Sequence, residues 1–94
     1  MYLRLVRFTL SDGSRSGAQA IANDLIPAIK QQPGCESAVF FGGGEDGECG
    51  LFVLWDSQEH ADTAAAIIRP RLNEHIAGKV SGPPDARLFS VLAS

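Results

Sequence analysis

The chain lacks the features that mark several large classes of protein. No apolar run approaches the roughly 20 residues that cross a bilayer, so we expect no membrane partner. Positive charge is scarce: eight Lys and Arg stand against eleven Asp and Glu, and a net charge of -3 argues against a nucleic-acid partner. Arg4 and Arg7 interrupt the apolar N-terminal run, which is not typical of a signal peptide. These absences predict a cytoplasmic protein.

Cysteine is also scarce, with only Cys35 and Cys49 in the chain. If the two lie on paired strands of a hairpin, Cys49 stands opposite Phe41 and Cys35 opposite Trp55. The thiols are then too far apart for a disulfide. Neither has His or Cys companions at metal-ligand spacing, so the sequence predicts two free thiols and no metal site.

The seven aromatic residues fall in four short strand-like runs. The runs are predicted at 2–10, 37–41, 50–55 and 86–92. Neighbouring strand residues face opposite sides of a sheet, so Phe40 and Phe41 cannot share a face. Apolar side chains are therefore expected on both sides of the sheet. The side that no helix covers is expected to hold either Val39, Phe41, Val53 and Trp55 or their even-numbered neighbours.

Two apolar stripes at three- and four-residue spacing predict helices between the strands. The first helix is expected over 16–32, with a kink at Pro27 and a stop at Pro33-Gly34. The second is expected to begin with an Asp56 cap and Glu59 three residues later, and to be divided at Pro70 into a main helix to 68 and a short one over 71–77. The buried stripe of the second helix is rich in alanine, which favours a close approach to the sheet.

The turn at 11–14 and the Gly-rich acidic loop at 42–47 complete the pattern. The loop formally matches G-x-G-x-x-G, but it leads into a strand and carries two acids, so it is interpreted as a hairpin loop. The order β-α-β-β-α-β predicts an α+β, ferredoxin-like fold: one four-stranded antiparallel sheet with both helices on one face. Two helices cover only one side, so we expect a homodimer in which two sheets pack face to face.

Four segments resemble the antibiotic biosynthesis monooxygenase-like domains of the dimeric α+β-barrel superfamily. They are Arg7-Phe8-Thr9-Leu10, Pro33-Gly34-Cys35, the segment from Leu54 to Ala61, and Leu72-Asn73-Glu74-His75. The resemblance covers the whole chain as a single domain, 1–94. It implies that two sheets close into a barrel with the helices outside, and that each subunit has a cleft between helices and sheet. Some such proteins oxidise aromatic polyketide-type or quinol substrates with oxygen and without metal or flavin, so no cofactor is expected.

A related branch of this superfamily degrades haem. A resemblance to that branch would imply three residues: an Asn in the first strand, a Trp in the second helix and a His late in that helix. Here Val6 stands at the Asn position and Ala64 or Ala65 at the Trp position, and only His75 matches. One residue of three makes a haem site a minor alternative.

The candidate site residues follow from their chemistry. His75 is predicted as a catalytic base or orienting group, because imidazole takes a proton near neutral pH. Arg7 is predicted to polarise a substrate oxygen, and Trp55, Phe8 and Leu72 are predicted to bind substrate. Each has a structural alternative: a helix-end His, a strand-end arginine with its head in water, and core or dimer-interface packing. Arg4 is interpreted as such a strand-end arginine, and His60 as a surface residue.

The function that fits these residues is cofactor-independent oxidation of a small aromatic, quinol- or polyketide-like molecule. The alternative is a dimeric module that binds a small hydrophobic or aromatic molecule without catalysis.

Overall fold

The computed structural model of the protein describes residues 1–11, 15–42 and 47–94. The elements in chain order are β1 (Tyr2–Thr9), α1 (Arg15–Lys30), β2 (Cys35–Gly42), β3 (Glu48–Trp55), α2 (Gln58–Ile76) and β4 (Asp85–Ser90). The strands form one antiparallel sheet in the spatial order β2-β3-β1-β4, which confirms the predicted βαββαβ fold. Most of the predicted turn at 11–14 and of the Gly-rich loop lies outside the described residues, at 12–14 and 43–46.

Helix α1 buries the predicted stripe. Ile21, Leu25 and Ile29 are fully packed against the sheet and α2, one turn apart. The helix runs through Pro27 to Lys30, and the kink expected at Pro27 stays a prediction. Gly34 has a φ of 83°, a conformation that glycine adopts without strain, and the chain turns there into β2 as expected.

Helix α2 begins one residue later than predicted and is not divided. Ser57 is the N-cap, and its hydroxyl oxygen accepts a hydrogen bond from the His60 amide at 3.2 Å. The predicted break at Pro70 was wrong, because the helix continues to Ile76. Proline removes the hydrogen bond to the carbonyl four residues earlier, at Ala66. Both residues lie on the exposed side of α2, where water can hydrate that carbonyl.

A β-bulge in β2 sets which residues face the helices. Phe41 pairs with Gly50, and Gly42 with Cys49, one residue away from the predicted register. An irregularity between Cys35 and Ser37 then restores the expected pairing of Cys35 with Trp55. A shift of one residue exchanges the two faces of a strand. Phe41 therefore lies on the opposite side from Val53 and Trp55, and the grouping of Val39, Phe41, Val53 and Trp55 on one face was wrong.

The two sides of the sheet differ in cover. The side that packs against the helices carries alternate residues of every strand: Phe8 in β1, Phe40 in β2, Leu51, Val53 and Trp55 in β3, and Leu88 in β4. We call the other side the open face. Its apolar residues are Leu3, Leu5, Val39, Phe41, Phe52, Leu54 and Phe89.

Exposure rises from the centre of the open face to its edges. Leu5 and Phe52 on the two central strands are half-buried, whereas Val39 on β2 and Phe89 on β4 are 50% and 43% exposed. Helices α1 and α2 both pack on the opposite side. Across the described residues, no helix is long and apolar enough to span a bilayer. Cys35 and Cys49 are free, as predicted, and burial raises the pKa of both thiols.

Candidate functional site

A cavity of about 460 Å³ lies between α2 and the helix-facing side of the sheet. Its volume falls within the range of small-molecule sites. The inner wall is apolar and comes from β3, where Leu51, Val53 and Trp55 point to the same side. Leu72 and Ile68 of α2 close the opposite wall. Such a lining favours a flat apolar molecule.

Alanines make room for this cavity. Ala61, Ala64 and Ala65 of α2 all line it. The first two are almost fully buried, so they leave space between helix and sheet that a larger side chain would occupy. The cavity is therefore produced by the composition of α2 rather than by a gap between elements.

Arg4 is the charged residue of the inner wall. It lies on β1 opposite Val53, and its side chain is 16% exposed. Nη2 donates a hydrogen bond to Oδ1 of Asp62 at 3.1 Å. Nε is buried, and among the described residues it has no hydrogen-bond partner. A buried donor without an acceptor costs about 1–3 kcal/mol.

The cavity opens between the second half of α2 and the start of β4. Arg69 and Asn73 stand on the helix side of this mouth, and Pro84, Asp85 and Ala86 on the strand side. Asp85 also lies 3.4 Å from Nε of Arg87. A second space on the surface of α2 shares Arg4, Ala65, Arg69 and Asn73 with the cavity. We call this second space the α2 groove.

His75 is directed toward α1. Its Nε2 lies 2.7 Å from Oδ2 of Asp24, and Nε of Arg71 donates to the same oxygen at 2.9 Å. Arg71 Nη2 also donates to Oδ1, so one carboxylate on α1 holds two side chains of α2. We call Asp24, Arg71 and His75 the interhelical clasp. The hydrogen bond from Arg71, followed by that from His75, lowers the pKa of Asp24 to about 2.

The predicted site residues separate into two groups. Trp55 and Leu72 line the cavity. Phe8 is buried further along β1, edge to face with Phe40 at 6.2 Å between ring centroids, and is not part of the described lining. His75 is likewise not part of that lining, since it belongs to the clasp.

Arg7 lies on the open face. Its side chain is 53% exposed, and Nη1 is 3.8 Å from Oε1 of Glu48. The sheet separates it from the cavity of its own chain. Arg4, interpreted from sequence as a strand-end arginine with its head in water, is instead the arginine inside. The sequence signal for this position was the spacing of Arg4 and Phe8, because residues four apart on a strand lie on the same face of the sheet.

His60 lies at the start of α2, at the surface as predicted. Its Nδ1 is 2.6 Å from Oδ1 of Asp56, and this hydrogen bond is the main reason that the pKa of Asp56 is lowered. The backbone amide of Asp56 donates to the Gly34 carbonyl at 2.9 Å, which ties the start of α2 to the end of α1.

Comparison with solved structures identifies proteins of the same architecture. The chain is similar to Rv0793 from Mycobacterium tuberculosis, with a TM-score of 0.81 and 19% identity over 99% of this chain and 96% of that one. Antibiotic biosynthesis monooxygenases are among the other similar structures. The chain has their fold. No family model matches the sequence, and no curated protein matches it.

Two further similar structures come from Streptomyces. SnoaB of Streptomyces nogalater, a cofactor-independent oxygenase, has a TM-score of 0.80 and 14% identity over 99% of this chain and 94% of that chain. The monooxygenase ActVA-Orf6 of Streptomyces coelicolor, solved with nanaomycin D, has a TM-score of 0.77 and 16% identity, covering 99% of this chain and 88% of that one. The predicted monooxygenase-like fold is thereby confirmed.

Proposed function

We propose that this protein is a cofactor-independent oxygenase of a small aromatic, quinol- or polyketide-like molecule that binds in the cavity between α2 and the sheet. The observation that carries the proposal is the mostly buried side chain of Arg4, a cation in an otherwise apolar wall. The shared fold with SnoaB and ActVA-Orf6 supports the reaction class.

In this proposal the ring of the substrate packs against Trp55 and Leu72, and a ring oxygen accepts a hydrogen bond from the guanidinium of Arg4. A guanidinium stabilises the anionic form of that oxygen, especially in a medium of low dielectric constant. The substrate thereby loses a proton more readily, and the proton leaves to solvent at the polar mouth. The electron-rich anion is then the reductant of oxygen.

The overall reaction balances without a further reductant. An activated methylene of an anthrone-type ring reacts as R₂CH₂ + O₂ → R₂C=O + H₂O. One C–O bond forms to give a hydroperoxide, the O–O bond breaks, and one oxygen atom leaves as water. The two electron pairs that reduce oxygen come from the two C–H bonds of the methylene. The chain's contribution is to bind the ring, exclude water and hold the charge on the ring oxygen.

The test is oxygen consumption with a panel of hydroquinones and anthrones. Wild-type protein is expected to turn over at least one of them, and Arg4→Met is expected to lower turnover on the order of 100-fold, as for loss of one hydrogen bond to a developing oxyanion. Lys79→Gln, at an exposed site outside the cavity, is the matched control. Unchanged turnover in Arg4→Met would remove Arg4 from the mechanism.

The role of His75 as a base stays a prediction, and its contact with Asp24 argues for a clasp role instead. His75→Ala separates the two. If His75 is a base, His75→Ala is expected to lower turnover and to leave the melting temperature unchanged. If His75 only holds the clasp, the substitution is expected to lower the melting temperature and to leave turnover unchanged. The minor haem-degrading alternative requires an imidazole free for iron; a Soret band on mixing with haemin would support it.

The second candidate function is binding without catalysis. The specific observation in its favour is that the described lining of the cavity contains no histidine, which is the usual general base. A binder gains melting temperature from the aromatic ligands of the panel but consumes no oxygen with any of them. Thermal shift and oxygen uptake on the same panel therefore distinguish the two functions.

We also propose that the protein is a homodimer joined through the open face. Full burial of a large apolar side chain contributes about 1.5–3 kcal/mol. The open face presents seven large apolar residues, with Leu5 and Phe52 at its centre. A short chain gains core by association, and a two-fold axis pairs one apolar patch with itself. Sedimentation at micromolar concentration is expected to give twice the 10.0 kDa of one chain, and a species of that single mass would contradict the proposal.

A further inference from the structure

The mouth of the cavity carries a cation that the proposed chemistry does not use. Arg69 lines both the cavity and the α2 groove. Its side chain is exposed, and within the described part of the chain it forms no ion pair. Asn73 lies one turn further along α2 and lines the same two spaces.

The other charges at the mouth are already matched. Asp62 in the α2 groove accepts from Nη2 of Arg4 at 3.1 Å. Asp85 on the strand side lies 3.4 Å from Arg87. Arg69 is therefore the positive charge at the mouth that these two carboxylates leave uncompensated.

We infer that Arg69 and Asn73 form an anion subsite at the mouth, and that the molecule bound in the cavity is an aromatic acid whose carboxylate reaches this subsite. The inference rests on the proposed binding of an aromatic ring in the cavity. The guanidinium and the amide of two side chains one turn apart both donate hydrogen bonds, and carboxylate oxygens accept them. The ring lies inside on Trp55, and the acid lies where the cavity opens into the α2 groove.

The geometry gives each part of such a molecule one partner. A ring oxygen inside the cavity meets the guanidinium of Arg4, and the carboxylate meets Arg69, so the two cations do not compete for the same group. Because Arg69 is exposed and its charge is screened by salt, it supplies selection between acids and neutral analogues rather than most of the affinity.

Calorimetry with a matched pair of ligands tests the subsite. The probes are 6-hydroxy-2-naphthoic acid and its methyl ester, which share the ring and the hydroxyl but differ in charge. Wild-type protein is expected to bind the acid on the order of tenfold more tightly than the ester at low salt. The preference is expected to shrink at 300 mM salt, where the Debye length is only about 5–6 Å.

Three variants test the assignment of the anion subsite to Arg69. Arg69→Gln is expected to lower the affinity for the acid to that for the ester while leaving the ester unchanged. Arg69→Lys keeps the charge and is expected to keep most of the preference, and Lys79→Gln removes an exposed cation elsewhere and is expected to keep all of it. Melting curves of each variant verify folding.

The outcomes separate the subsite from the proposed function. Equal affinities of wild-type protein for acid and ester, or a preference that survives in Arg69→Gln, would overturn the anion subsite and leave the cavity as a site for neutral rings. Failure of both compounds to bind would count against the cavity as a ring-binding site, and the proposed function would fall with the subsite.

Discussion

Arg4 and Arg7 are the same residue type on the same strand, three positions apart, and they lie in opposite surroundings. Arg4 is in the wall of an apolar cavity with its Nε buried, and Arg7 is on the open face with half of its side chain in solvent. The alternation of strand residues is the whole cause of this difference. The helix-facing side has the space and the charge for a ligand, and the open face has the flat apolar area for another sheet.

The largest effect is expected from placing a carboxylate on each side of β3. Leu51→Asp buries an unpaired charge at a site that is 3% exposed and lies opposite Val6 and Phe40, and the chain should fail to fold. Phe52→Asp puts the same group on the half-buried open face, where it should leave the fold intact and separate the proposed dimer. Circular dichroism and sedimentation measure the two effects; a folded Leu51→Asp protein would contradict the expected difference between the two sides of β3.

A second test compares the two arginines directly. Arg4→Met should weaken ring binding on the order of tenfold or more, because the proposed charge-assisted hydrogen bond from the guanidinium is lost. Its melting temperature should stay level or rise, because the buried donor without a partner is replaced by an apolar chain of similar length. Arg7→Met should leave ring binding unchanged, since the sheet lies between it and the cavity. Calorimetry of both variants measures ring binding. A larger loss of affinity in Arg7→Met than in Arg4→Met would contradict the placement of Arg4 at the binding site.

Two glycines of the β2–β3 hairpin differ in the space around them. A Cβ on Gly50 would lie 2.5 Å from the Phe41 ring and 2.6 Å from the Val6 carbonyl oxygen, so Gly50→Ala should lower the free energy of unfolding by about 1–3 kcal/mol. A Cβ on Gly42 would meet nothing within 4 Å, and Gly42→Ala should change it by about 0.5 kcal/mol at most. Urea unfolding gives both values, and equal losses would show that the crowding at Gly50 is unimportant.

The smallest effect is expected at the interhelical clasp, on the surface where α1 meets α2. The pKa of Asp24 is about 2 in the folded chain against 3.8 for an ordinary aspartate, so the folded state favours the ionised carboxylate. The clasp therefore stabilises the fold above about pH 4, and this contribution is lost as the pH falls from 4 through 2.

Asp24→Asn should flatten the dependence of stability on pH in that window. Glu36→Gln, an exposed carboxylate on β2, should leave the dependence as it is in the wild type. Urea midpoints at pH 6, 4 and 3 measure the dependence of stability on pH in each protein. A wild-type slope that persists in Asp24→Asn would assign the effect to another group.

Periodicity was enough to predict the order of the elements and the buried stripes of both helices. Ile21, Leu25 and Ile29, for example, recur at helical spacing and are all buried. The faces of β2 could not be predicted in the same way, because one extra residue in a bulge exchanges inside and outside, and the residues around Glu36 give no signal for it. The continuity of α2 through Pro70 was missed for a related reason: the cost of proline depends on whether the freed carbonyl meets water.

The candidate site was predictable in part. Trp55 and Leu72 follow from their positions at the end of β3 and on the buried stripe of α2. Alternation shows that Arg4 shares a face with Phe8 and that Arg7 lies on the other face, but it does not show which of the two faces the helices cover. The position of His75 depended on Asp24, a residue 51 positions away in the chain, and no local pattern connects the two.

The run of alanines along α2 gives the fold an adjustable interior. Ala61, Ala64 and Ala65 could each be replaced by valine in a single substitution. Each added pair of methyl groups would narrow the cavity without altering the strands around it. Single changes on one helix would thus alter the volume of the cavity, while the sheet that supports it stays constant.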